Sequence, residues 1–178
     1  MGRTEQADNF RIDFINSLRA QGAKVEDMAS FARIFDDRKL QLIFQRWDSL
    51  GRELFYVNKV GFVNVHVRSD PPGFWGITKR IIEDFDSIKN ELKISCWFVL
   101  LVGKEDGTDV NGYILEIVFS TPVINSPSEQ AEAYKINERD LDSSKVVKSS
   151  AKVAEELIEV GRRRFPGSTS TVIRRPKL

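Results

Sequence analysis

The chain has 178 residues, 41% hydrophobic and 30% charged, which describes a folded globular protein and excludes a disordered one. No apolar run approaches the ~18 residues needed to span a bilayer, and the polar start MGRTEQADN carries no secretory apolar region, so a cytoplasmic protein without a membrane partner is expected. The formal charge of +1 hides an asymmetry: Arg162, Arg163, Arg164, Arg174, Arg175 and Lys177 stand in a stretch from Gly161 onward that holds no acid, so the residues before it carry a net −5.

The predicted elements begin with a helix from a Thr4 cap to about Gln21. Ala7, Phe10, Phe14 and Leu18 mark its buried face, and Gly22 ends it. Val25, Met28, Phe31 and Phe35 suggest a second helix that Asp36-Asp37 interrupts. Between Arg38 and Trp47, Leu40, Leu42 and Phe44 alternate as a strand would. Leu40, Ile43, Phe44 and Trp47 repeat as a helix would, and the scarcity of β-branched residues favours the helix. Leu54–Val57 and Val60–Arg68 are rich in Val, Phe and Tyr and predict a hairpin. In its second arm Val63, Val65 and Val67 take one face, and Phe62, Asn64, His66 and Arg68 take the other, polar one.

Ser69-Asp70-Pro71-Pro72-Gly73 stops that strand. A helix is expected from about Gly76 to Leu92, with Ile77, Ile81, Phe85, Ile88 and Leu92 as its stripe. Cys96–Val102 is apolar on both faces, as a strand covered on both sides would be. Another strand is expected over Gly112–Phe119, a short helix near Glu129–Tyr134, and a last helix over about Ser149–Val160 that Gly161 terminates. The fold class is α/β or α+β, with a mixed sheet of about four to five strands flanked by helices. The expected organisation is one domain over residues 1–160 and a basic, flexible tail over 161–178.

One Cys and one His exclude a zinc site built from those residues within one chain. Cys96 reads as a buried thiol suited to a reducing compartment. Neither GxxxxGK[ST] nor GxGxxG occurs, so the common nucleotide loops are missing. Gly73 and Gly76 at an expected helix start, with Arg68, Lys79 and Arg80 close by, are candidates to meet a phosphate or another small anionic ligand. Asn64, His66 and Arg68, spaced by two, put an amide, an imidazole and a guanidinium on one face. Asp37 and Asp109 are the candidate carboxylates for a metal beside them, and the clusters Arg162–Arg164 and Arg174–Lys177 are candidate phosphate contacts.

The hairpin, the helix worded IIEDFDSI and the apolar strand CWFVLLV together resemble the core of the PD-(D/E)XK nuclease superfamily over roughly Phe55–Val102. The resemblance implies a restriction-endonuclease-like core. It also implies Mg²⁺-assisted phosphodiester hydrolysis, with two acids on the metal and a lysine orienting water. In the strand that should carry acid-x-lysine, this chain has Asn64-Val65-His66, with Asp37 or Asp48 as the upstream acid. A second match pairs Asp109 with Glu116-Ile117-Val118 and has no lysine. The expectation is a nuclease-like domain that contacts DNA with an altered or lost catalytic centre, using Mg²⁺ only if active. The alternatives are a non-catalytic subunit that binds a protein partner or a second copy of itself, and a domain that binds a phosphate or small ligand.

Overall fold

The computed structural model describes residues 3–33, 37–69, 74–104, 110–116, 123–124, 133–137, 141 and 145–164. Its centre is a mixed six-stranded sheet. In chain order the strands are β1 (Val25–Glu26), β2 (Leu54–Val57), β3 (Gly61–Ser69), β4 (Phe74–Thr78), β5 (Cys96–Gly103), β6 (Val110–Glu116), β7 (Val123–Ile124), β8 (Ala133–Asn137) and β9 (Val147–Lys148). The helices are α1 (Arg3–Ala20), α2 (Met28–Ala32), α3 (Arg38–Asp48), α4 (Lys79–Leu92) and α5 (Ser150–Arg164). The main sheet runs β1-β2-β3-β5-β6-β9, and β4, β8 and β7 form a separate three-stranded sheet. The main sheet thus has more strands than the four or five expected. The extra ones, β1 and β9, are two residues long, too short for an alternation to register.

β3 and β5 are parallel, registered from Phe62↔Cys96 to Ser69↔Gly103. A parallel pair needs a crossover, and β4 and α4 supply it. Every residue of β5 is buried, as the doubly apolar run demands. One face of the sheet carries Leu54, Phe62, Phe98 and Leu100 against α2, α3 and α4. The other carries Phe55, Val63, Val65, Trp97 and Val99 against Phe10, Phe14 and Leu18 of α1 and Val153 and Leu157 of α5. On α4, Ile81, Phe85 and Ile88 face inward, and Phe85 meets Trp47 and Phe98 at ring-centroid distances of 5.2 and 5.0 Å.

Several expectations are corrected. Thr4 lies inside the first turn of α1, which is already helical at Arg3. Val25 belongs to β1, paired with Val57, and α2 begins only at Met28, capped by Asp27, which accepts from Ser30 N at 2.8 Å. Ile77 lies on β4: Trp75 and Ile77 point inward while Phe74 and Gly76 are exposed. A spacing of four, as between Ile77 and Ile81, fits either a helical stripe or strand alternation, and Phe74, Trp75, Ile77 and Thr78 are strand formers. Tyr134 is likewise in a strand, β8, which pairs with β4 through Trp75↔Ile136. Without β4 as a partner, its alternation has no edge to join. Gly161 does not end α5. It is buried inside the helix, where an added Cβ would stand 2.6 Å from Val60 Cγ1. Among the described residues no helix is long and apolar enough to cross a membrane.

Candidate functional site

β2 begins at Leu54, opposite Asn64, so among the described residues the edge of β3 beyond that point has no strand partner on that side. The tight turn Gly51–Glu53 and α1 take the place of one. Arg11 of α1 donates from Nε to Val65 O at 3.2 Å, and its Nη2 lies 3.8 Å from Glu53 Oε1. Asn64 is completely buried and donates from Nδ2 to Glu53 O at 2.9 Å. Its Oδ1 faces His66 Nε2 in a short hydrogen bond. A carbonyl oxygen only accepts, so Nε2 carries the proton and Nδ1 the lone pair.

His66 is partly buried, and its ring lies 6.0 Å from that of Phe98. Burial pushes its pKa down to about 4, and the positive charge of Arg11 pushes the same way. The imidazole is therefore neutral at physiological pH. Arg68 is 8% exposed and lies over the Trp75 ring, 4.5 Å from the centroid. Trp75 in turn donates from Nε1 to Leu101 O at 3.3 Å. The polar face of β3 is thus covered. The alternation told which residues share a face, but the cover comes from the Gly51–Glu53 turn, β4 and α4.

The structure brings Asn64 to His66, and it places the remaining candidates elsewhere. Asp37 caps α3, its Oδ1 accepting from Leu40 N at 3.0 Å. Asp48 is the exposed last residue of α3. Glu116 ends β6 at the register position opposite Trp97. Asp36, Asp109, Gly73 and residues 165–178 lie outside the described residues. Gly76 lies in β4, before α4 begins at Lys79, so its N–H does not belong to a helix start. Lys79 is half-buried. Arg80 sits 3.8 Å from Asp84, a nearly buried carboxylate that accepts from Arg46 Nε at 3.2 Å and Nη2 at 2.7 Å. Arg162, Arg163 and Arg164 form the last turn of α5, with Arg162 and Arg163 exposed. Among the described residues no group of three His, Cys, Asp or Glu side chains converges to hold a metal.

No protein-family model matches this chain, and no curated protein or solved structure matches it. The site therefore rests on its own geometry. Two of its members, Arg11 and the Glu53 carbonyl, carry no motif. Arg11 is one position beyond the Phe10 of an apolar stripe, and Glu53 acts largely through its backbone.

Proposed function

We propose that this chain is a nuclease-like domain that contacts nucleic acid, with its catalytic position given over to structural hydrogen bonding. The observation that carries the loss of catalysis is the closure of Asn64 onto Glu53 O and His66 Nε2. A hydrated Mg²⁺ beside an anionic scissile phosphate needs one or two carboxylates. At the matching position this chain has a neutral amide with both ends occupied, beside an imidazole held neutral. The exposed guanidinium groups of Arg162 and Arg163, followed in the sequence by Arg174, Arg175 and Lys177, support contact with phosphates.

The test is a Mg²⁺ titration of the full chain against supercoiled and linear DNA, alongside a binding isotherm at several salt concentrations. Salt-dependent binding without cutting is expected. Mg²⁺-dependent cutting that both Asn64→Ala and His66→Ala abolish would overturn the loss of catalysis. A second reading, docking of a protein partner or a second copy, is favoured by Phe74, 52% exposed on β4. It predicts a stoichiometric complex that Phe74→Ser weakens, measured by light scattering on a sizing column.

A further inference from the structure

The end of the main sheet where β3 and β5 begin gathers cations from four separate segments. Gly161 fits against Val60 so closely that the last turn of α5 rests on the β2–β3 turn. That turn carries Lys59, exposed and left-handed at φ 64°. Its neighbour Asn58 donates from N to Lys24 O at 2.9 Å, which brings in the exposed Lys24. On the other side Phe62 N donates to Ser95 O at 3.0 Å. The contact is tight enough that a Cβ on Gly61 would lie 2.0 Å from that oxygen. Two residues before Ser95 stands Lys93, exposed and left-handed at φ 56° where it closes α4.

Lys24, Lys59, Lys93, Arg162 and Arg163 thus lie on, or within two residues of, segments that meet at this end of the sheet. The acids paired with them are Glu26, 3.4 Å from Lys24, and Glu156 and Glu159, 4.0 and 3.7 Å from Arg163. All of these pairs are solvent-accessible, so water and salt screen them and a phosphate can compete for the cations. The large exposed hydrophobics among the described residues, Leu42 and Phe74, lie on α3 and β4. Among the described residues the rim therefore offers charge without an exposed large hydrophobic side chain to stack on. Single strands are held by aromatic stacking, and membrane surfaces by apolar anchors joined to basic residues. A duplex backbone asks mainly for positioned cations.

We infer that this rim is the docking surface for the phosphate backbone of duplex nucleic acid. The inference rests on the nucleic-acid reading above and makes it specific. Contact is made by a composite of Lys24, Lys59, Lys93 and the end of α5, and not by the arginines of α5 alone.

The experiment is fluorescence anisotropy of a labelled duplex, the matching single strand and anionic vesicles with the full chain. K59N/K93N is the decisive variant, because asparagine accepts the left-handed backbone of both positions. The slope of log affinity against log salt should shrink by about 1.8, two contacts at about 0.9 each. The affinity lost between about 50 and 200 mM salt then falls by about 12-fold relative to wild type. R162Q/R163Q should do the same. K152Q, at the other end of α5, should leave the slope unchanged, and melting curves should match wild type throughout. If R162Q/R163Q flattens the slope and K59N/K93N does not, the composite rim is overturned while the nucleic-acid reading stands. Tighter binding to vesicles or to the single strand overturns the duplex. No binding of duplex by wild type overturns both readings.

Discussion

β3 carries polar chemistry in its middle and leads away from cations at its start, and the two regions differ in what surrounds them. In the middle, Asn64 and Arg68 are buried and His66 is held neutral. At the start, Lys59 beside Gly61 is exposed, as are Lys24, Lys93 and Arg162. The difference teaches that a polar residue in a strand reports little about exposure. Alternation assigns a face, and only the neighbouring elements decide whether that face is wet. Buried polar groups then need partners, which Asn64 finds in Glu53 O and His66. A lysine at a turn needs none, since its ammonium stays in water.

The largest expected effect is on the core that covers the β3 middle. Phe85 is fully buried against Trp47 and Phe98, so Phe85→Ala should cost about 3–5 kcal/mol in a denaturant titration. A loss near zero would mean that α4 does not seal this face. Next comes the pH dependence of His66. Its folded pKa, about 4, lies below the ordinary imidazole value of 6.5. Above about pH 6.5 neither state binds the proton and stability is complete. As pH falls from there through 4, the unfolded chain takes up a proton that the folded chain resists, and stability is lost. A difference of this size corresponds to at most about 3 kcal/mol, less to the extent that water reaches the partly buried ring. Melting curves at pH 8 and pH 4 should show the loss in wild type and a smaller one in His66→Gln.

Asn64→Ala should cost about 1–3 kcal/mol, because Glu53 O and His66 Nε2 lose their partner inside the fold. A neutral result would place the pair in water after all. Asp37→Ala should cost about 1 kcal/mol, the usual value of an N-cap, and should leave nucleic-acid binding as it was. Smallest of all, K59N/K93N should change stability by less than about 0.5 kcal/mol. The two regions would then separate cleanly: variants in the β3 middle read out in unfolding, and variants on the rim read out in binding.

Much of this architecture follows from periodicity that the sequence carries locally. The stripe Leu40, Ile43, Phe44 and Trp47 makes α3 amphipathic wherever it is placed. The unbroken apolar run from Cys96 can be solvated on neither face, so it must lie inside. The alternation of Val63, Val65 and Val67 with Phe62, Asn64, His66 and Arg68 set the two faces of β3. Tertiary structure decided what no local pattern holds. β4 and β8 need each other, since a strand's backbone is satisfied only by a partner, and the paired Thr78 and Ala133 stand 55 positions apart in the chain, so neither announces the other. The burial of Asn64 and His66 depends on a backbone carbonyl at Glu53 and a guanidinium at Arg11, groups that any residue of their kind would supply. The rim of cations exists because glycines at 61 and 161 allow backbone to approach closely where a Cβ would collide. Charge and glycine are both visible in the sequence, but which charges meet is fixed only when the chain closes on itself.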